Sequence, residues 1–359
     1  MFIARPLRPG FETRKRLLLT ARHTIRGEYS ARFLNPDGSP TLADITRSDG
    51  HERRSHELAL RKNLITNAWL DGMASYPADT LRGWLRVGTG SGTPAVTDIS
   101  LDAEVEAGDE TPSTGTDRVV SSIEADEFYE VAITRSRRAT MTESRNLTEF
   151  GLSRLADSDL NVRNLFRDET DTPVTISLLA GKMIEVKHTV YYKYPRFGVL
   201  DSLTVEERDA TDTLVSTTTY DCELGYFASS GHTLTAFDSP SMVSGLGNWN
   251  YGYRTTDAGA QGTSVMSAAT ILAGVGVGVQ MFPDAGYVAG THYLDSLATT
   301  ALVTQGNATY TMISVFRGTL GPFNGSGLGA RFLNPGTFQK LSTHELALPT
   351  FRVSWAREA

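Results

Sequence analysis

The chain has 359 residues, with 34 Lys and Arg against 41 Asp and Glu, so its formal net charge is −7. A net negative charge argues against a general nucleic-acid-binding protein. The single cysteine, Cys222, excludes an intrachain disulfide and is expected to be a buried small apolar residue. The 33 glycines, with many Ser and Thr, favour short strands joined by turns. We therefore expect a mainly β fold of sandwich-like antiparallel sheets with one or two short helices.

The composition divides the chain into three regions. Residues 1–16 contain two prolines and clustered bases and predict an N-terminal arm. Residues 17–196 predict a β-rich module with a short helix near 63–73, and residues 197–359 predict a Gly/Thr/Ser-rich β module that closes with a C-terminal strand. The longest apolar run, 268–282, contains three glycines and is too short to span a bilayer. We expect a protein without membrane insertion that assembles in the cytoplasm.

Alternating and apolar segments predict the elements in chain order. A strand ending near Leu34, the turn Asn35–Gly38 and a returning strand from Thr41 predict a hairpin. Asn63–Met73 predicts an amphipathic helix with Gly72 as its C-cap. Further strands are predicted at 119–124, 127–135, 145–152, 162–167, 173–179, 183–194, two within 199–224, 269–282, 297–304, 308–315 and 346–355. Leu64, Trp69, Trp84 and Phe150 are expected in one buried cluster.

Five segments between Lys62 and Tyr192 occur in a characteristic order. They are a helix-like N-L-I-T-N-A-W-L-D-G, the loop V-G-T-G-S-G-T-P-A-V-T-D, the strand T-E-F-G-L, the pair N-L-F-R-D and P-V-T-I, and V-K-H-T-V-Y-Y. Together they resemble a module of structural proteins from tailed bacteriophages, and the last strand, around Phe351–Arg357, resembles a terminal strand of the same proteins. The resemblance implies a virion component that is not an enzyme: a tail-fibre, collar or neck, or baseplate module.

Charge is distributed unevenly. Residues 1–62 carry thirteen bases and seven acids, a net of +6, so the remainder is −13. This asymmetry predicts docking on a partner or, equally, a solvated basic arm. Six acids between 98 and 110 are matched by a basic cluster, Arg135, Arg137, Arg138 and Arg145, which predicts pairing between subunits or, equally, two solvated surfaces. The interface candidates are Arg5, Arg8, Arg14, Lys15, Arg16, Arg135, Arg137 and Arg138.

Two short sequences recur. Ala31–Pro36 is repeated as Ala330–Pro335, and His56–Leu60 is repeated as His344–Leu348, in the same order. The repeat predicts two related hairpins, either neighbours in one sheet or equivalent contacts with adjacent subunits, unless the duplication carries no shared role.

No motif for catalysis or for a cofactor is present. The seven histidines lack metal-ligand spacing, the glycine loop lacks the Lys-Ser/Thr ending of a phosphate loop, and no nucleophile elbow occurs. We expect no catalytic residue, no cofactor and no metal. The aromatic segments 191–194 and 249–254 leave one alternative open, a carbohydrate-binding receptor protein at the tail tip. The expected partners are further copies of the chain, with a trimer favoured, and other virion proteins.

Overall fold

The computed structural model describes residues 18–73, 76, 80–111, 118–124, 128–195, 199–209, 211, 213–227, 249–255, 281–282, 287–295, 299–301, 309–317, 327–335, 338–339, 344–348 and 350–358. Within these residues the fold is mainly β, with curled antiparallel sheets and one α-helix, which confirms the predicted fold class. The chain divides into two compact units. The motif unit comprises Thr24–Ser122, Val131–Tyr192 and Ala356–Ala359, and the companion unit comprises Met1–His23, Ile123–Glu130 and Lys193–Trp355.

The elements up to residue 195 are thirteen strands, one α-helix and one 3₁₀ turn. The strands are β1 (Leu18–Leu34), β2 (Ala43–Arg47), β3 (Glu52–Ser55), β4 (Glu57–Ile65), β5 (Trp84–Gly88), β6 (Glu104–Gly108), β7 (Arg118–Glu124), β8 (Phe128–Thr140), β9 (Arg145–Leu147), β10 (Glu149–Ser153), β11 (Leu160–Leu165), β12 (Val174–Leu178) and β13 (Met183–Pro195). The α-helix, α1, is Asn67–Gly72, and the 3₁₀ helix is Thr80–Arg82.

The remaining described strands run from residue 199 to residue 357. They are β14 (Val199–Asp209), β15 (Leu214–Phe227), β16 (Trp249–Thr255), β17 (Met281–Phe282), β18 (Tyr293–Asp295), β19 (Thr299–Ala301), β20 (Thr309–Arg317), β21 (Gly327–Asn334), β22 (Phe338–Gln339), β23 (His344–Leu348) and β24 (Thr350–Arg357). A nine-stranded sheet contains the path β17-β16-β20-β21-β15-β14-β23-β19, with β22 paired to β20.

Two sheets build the motif unit. The larger follows the order β6-β5-β10-β11-β4-β1-β13-β8-β7, and the smaller follows β3-β2-β12-β9. On β12, Val174, Ile176 and Leu178 are buried while the residues between them are half-buried, which is the period-two pattern of a sheet with one covered face. Every residue of β10 and of β11 is buried. These two strands therefore lie at the centre of the motif unit.

Aromatic side chains fill the core beside β10. The ring centroid of Phe150 lies 4.5 Å from that of Tyr29 and 5.2 Å from that of Phe166, and all three side chains are fully buried. The Tyr29 hydroxyl donates to the carbonyl of Leu165 and accepts from the amide of Arg167, so its polar end is satisfied. Trp69 is also buried, as predicted, but Leu64 and Trp84 are only half-buried.

At two places, strands that the sequence predicted to pair in one hairpin or to form one strand belong to different sheets. β1 and β2 were expected to form a hairpin, but β1 pairs with β4 and β2 pairs with β3 and β12. Only the bridge Leu34–Pro40 and the turn with Gly38 at φ 83° join them directly. The predicted strand 145–152 is likewise divided at Thr148, because β9 pairs with β12 in the small sheet and β10 pairs with β5 and β11 in the large one.

The helix is shorter than predicted. Leu64 and Ile65 belong to β4, where they pair with Arg163 and Val162 of β11. Their apolar character fits a strand as well as a helix, and the pairing with β11 decides between the two. Thr66 ends the strand in an extended conformation, with its hydroxyl donating to the carbonyl of Leu160, and α1 follows from Asn67.

Candidate functional site

The helix segment and the strand T-E-F-G-L both contact the glycine loop, residues 88–103, which joins β5 to β6. Strand pairing brings them together: β10 lies between β5 and β11, with Glu149 opposite Gly88 on one side and Leu165 on the other. Thr148, at the break between β9 and β10, donates its amide to the carbonyl of Gly88 at 2.9 Å and its hydroxyl to the carbonyl of Gly90 at 2.5 Å. Because Thr148 lies between β9 and β10, its amide and hydroxyl are available to bond to the loop.

Glu149 is the main acceptor for the backbone of the loop. Its Oε1 accepts the amide of Gly90 at 3.0 Å and that of Ala103 at 2.9 Å, and its Oε2 accepts the amide of Asp102 at 3.3 Å. The side chain is fully buried. A Cβ at Gly90 would collide with Glu149 and Asp102, so the close approach of the carboxylates requires glycine at this position.

Arg163 of β11 neutralises the buried carboxylate and gathers two more. Its guanidinium lies 2.9 Å from Glu149, 2.6 Å from Asp98 and 2.8 Å from Asp102, while the side chain is only 4% exposed. Burial opposes the charged form, but the hydrogen bonds that Arg163 donates to Asp98, Glu149 and Asp102 outweigh it and raise the pKa of Arg163. Three acids around one buried arginine form a satisfied network in which the removal of one partner is costly.

The same network reaches the helix segment. Asp98 accepts the amide of Ala95 at 2.7 Å, and Asp102 accepts the amide of Gly92 at 2.8 Å, which fixes the far half of the loop. The carbonyl of Val96 accepts the amide of Asn67 at the start of α1. Asn67 in turn accepts a hydrogen bond from Arg357, whose Nε donates to the carbonyl of Ile65. Three motif segments, the arginine that directly precedes a fourth, and the last strand thus contribute to one loop arrangement. We call the set Asp98, Asp102, Glu149 and Arg163 the loop network.

Three of the four remaining acids of the predicted cluster also have donors within the chain. Glu104 pairs with Arg86 at 2.6 Å, Glu106 accepts the amide and hydroxyl of Thr142, and Glu110 accepts the hydroxyl of Thr140. Part of this stretch, Glu104–Gly108, forms β6. Across the residues that the structure describes, no group of three His, Cys, Asp or Glu side chains has the proximity that a metal ion needs.

The basic interface candidates form two groups, those that lie outside the described residues and those that lie within them. Arg5, Arg8, Arg14, Lys15 and Arg16 lie outside the described residues. Arg137 and Arg138 are 6% and 7% exposed and bond within the chain: Arg137 donates to the carbonyl of Gly83, and Arg138 pairs with the buried Glu185 at 2.7 Å, which also holds Arg32. Arg135 is half-buried. A contact of these three arginines with another subunit stays a prediction.

Sequence reasoning missed Arg163, the centre of the loop network. The available signal was an arginine in a strand whose other residues are mostly apolar or small, together with a loop rich in acids. The aromatic candidates are placed only in part: Tyr192 is fully buried, and the guanidinium of Arg26 covers one ring face of Tyr191 at 3.5 Å. The side chains of Tyr194 and of 249–254 lie outside the described residues. Cys222 is buried, as predicted.

Comparison of the chain with protein-family models gave no match, and neither did comparison with curated proteins or with solved structures. None of the described helical segments combines the length and the apolar character that a bilayer span requires.

Proposed function

We propose that this chain is a structural component of a tailed phage particle, a tail-fibre, collar or neck, or baseplate module that oligomerises and docks on other virion proteins. One observation carries the proposal: three of the segments that resemble phage structural proteins, the helix segment, the glycine loop and the strand T-E-F-G-L, are joined by the loop network and its hydrogen bonds. Their polar side chains hold a loop in place and bond to one another. Such a network keeps the loop in one conformation. A loop held in this way offers a fixed surface to a partner, and protein–protein contact is the function that such a surface supports.

The proposal includes a location. The protein is assembled in the host cytoplasm and resides in the virion, with no nucleic acid or membrane among its partners. The direct test is immunogold electron microscopy of purified tailed particles with an antibody against this chain. We expect gold at one discrete station, and particles from a deletion of the gene should be unlabelled. A chain that is abundant in the lysate but missing from purified particles would contradict the proposal.

The loop network provides a second test. Glu149→Ala should sharply reduce incorporation into particles, because the loop amides lose their acceptor and the charge of Arg163 loses a buried partner. Glu143→Ala is the matched control: this glutamate is 68% exposed and pairs only at the surface with Arg145. Equal incorporation of the two variants, measured by quantitative immunoblotting of purified particles, would show that the loop has no part in docking.

A further inference from the structure

The two loops beside the network expose an apolar surface. Ile99 is 59% exposed, Leu155 is 44% exposed and Val96 is 37% exposed. Ile99 and Val96 lie on the glycine loop, and Leu155 lies on the turn between β10 and β11. The amide of Leu160, which ends that turn, donates to the carbonyl of Ile99 at 3.0 Å, so the two loops are directly joined. We call Val96, Ile99 and Leu155 the Ile99 surface.

The backbone that carries this surface is fixed before any partner arrives. Asp98, which precedes Ile99, is held by Arg163 at 2.6 Å, and the carbonyl of Val96 is held by the amide of Asn67. Arg86 donates to the carbonyl of Ser158 at 3.0 Å and pairs with Glu104, which ties the turn to β6. A surface that is already ordered loses less conformational entropy on binding, so its apolar side chains contribute more to affinity.

The surroundings of the Ile99 surface are acidic. Residues 88–111 contain six acids and neither Lys nor Arg, and Asp157 and Asp159 follow Leu155 closely. The one base next to Leu155 in sequence, Arg154, lies over the ring of Tyr76. Asp157 and Asp159 are exposed, and Asp102 is 43% exposed although it pairs with Arg163, as the more buried Asp98 also does. The best-fitting partner therefore combines apolar side chains with positive charge.

The chain itself contains a segment of this chemistry. Residues 1–16 carry five bases, one acid and the apolar residues Phe2, Ile3, Leu7 and Phe11. We infer that residues 1–16 of one copy bind the Ile99 surface of a second copy. This inference rests on the proposed function, since it names the contact through which copies assemble. The contact joins two different surfaces, so it is heterologous and generates a ring when the rotation between copies closes.

Sedimentation equilibrium of the full-length chain tests the contact. Ile99→Asp should weaken self-association at least about tenfold, because it places a charge in the apolar centre of an acidic surface. Leu179→Asp is the matched control, since Leu179 is 65% exposed on the turn between β12 and β13, away from the loops. Leu155→Asp provides a second variant should Ile99→Asp fail to fold, as judged by circular dichroism.

A peptide of residues 1–16 tests the occupant. Added to the wild-type oligomer in excess, it should dissociate the oligomer, and the same peptide with its five bases replaced by Gln should not. The effect of the peptide should weaken in about 1 M salt, where the screening length falls to roughly 3 Å. Unchanged association of Ile99→Asp and Leu155→Asp, a monomeric wild type that does not bind the peptide, or equal effects of the two peptides would each overturn the inference.

The outcomes separate this contact from the proposed function. Gold labelling of particles together with normal assembly of Ile99→Asp would remove the Ile99 surface and leave the structural function intact. Loss of assembly in Ile99→Asp, in a chain that never enters particles, would keep the contact and remove the phage function.

Discussion

The motif unit and the companion unit contain copies of the same short sequences in different surroundings. In the motif unit the two repeated segments are partners: Ala31 of β1 pairs with Leu58 of β4, and the amide of Phe33 donates to the carbonyl of His56. In the companion unit the corresponding strands, β21 and β23, are separated by β15 and β14. The expectation of two related hairpins in one sheet is therefore wrong. Identical local sequence permits a strand in both places, but distant partners decide what it pairs with.

A second repeat, unlike the first, has the same local hydrogen bonds in both units. Arg167–Thr172 and Arg208–Thr213 share five of six residues, R-D-x-T-D-T. In each, one aspartate oxygen accepts the amide and the hydroxyl of the first threonine and the amide of the second, at 2.7–3.0 Å for Asp168 and 2.7–2.9 Å for Asp209. These bonds are local, so the turn forms alike in both units. Short-range hydrogen bonds follow the sequence, whereas strand pairing follows the whole fold.

The largest expected effect compares Leu34 with Leu333, which occupy the same place in the two copies of Ala-Arg-Phe-Leu-Asn-Pro. Leu34 is 1% exposed and Leu333 is 41% exposed. Leu34→Ala should lower the free energy of unfolding by about 3 kcal/mol through lost burial and a cavity. Leu333→Ala should change it by less than about 0.5 kcal/mol. Urea denaturation followed by tryptophan fluorescence measures both, and equal effects would mean that the two copies have the same surroundings.

Much of the fold could be predicted from the sequence, and the reason is local. The strands β7, β8, β12, β13, β14 and β15 lie close to their predicted positions, because alternation and turn residues mark their ends. The predicted turn Asn35–Gly38 carries its glycine at φ 83°. The loop network could not be predicted, since Arg163 and Asp98 are far apart in the sequence and meet only because β10 pairs with both β5 and β11. The R-D-x-T-D-T repeat was present in the sequence but was not identified.

The stability of the motif unit should depend on pH more strongly in the wild-type chain than in a variant that lacks the buried His188. Burial, assisted by the charge of Arg82, lowers the pKa of His188 well below 6.5, so the imidazole stays neutral in the folded chain. The unfolded chain takes up this proton below pH 6.5. The contribution of the neutral imidazole to the free energy of unfolding is therefore present above pH 6.5 and is lost progressively as the pH falls below 6.5. Hydrogen exchange of motif-unit peptides between pH 7.5 and 5, with intrinsic exchange rates corrected for pH, measures this loss.

A glutamine in place of His188 is the control for that experiment. His188→Gln removes the titrating group but keeps a polar side chain that can reach Asn63, to which the imidazole Nε2 is bonded at 3.1 Å. In the variant, the protection of motif-unit peptides should depend less on pH. The pH dependence that His23 causes in companion-unit peptides should be unchanged. Burial lowers the pKa of His23 to about 3, so companion-unit peptides should still lose protection below pH 6.5. An unaltered slope in the motif unit of His188→Gln would remove His188 as its cause.

The smallest expected difference in the free energy of unfolding is between variants of the two R-D-x-T-D-T turns. Asp168 is buried, its second oxygen lies 3.4 Å from Arg47, and its carbonyl accepts a hydrogen bond from Arg61. Asp209 is only half-buried. Asp168→Ala should lower the free energy of unfolding by about 2 kcal/mol and Asp209→Ala by about 1 kcal/mol, because the threonine amides freed at Asp209 are more readily hydrated. Urea denaturation gives the two values, and Asp168→Asn, which retains an acceptor oxygen, should recover about half of the loss at that turn. A larger loss at Asp209 than at Asp168 would show that burial does not set the strength of this turn.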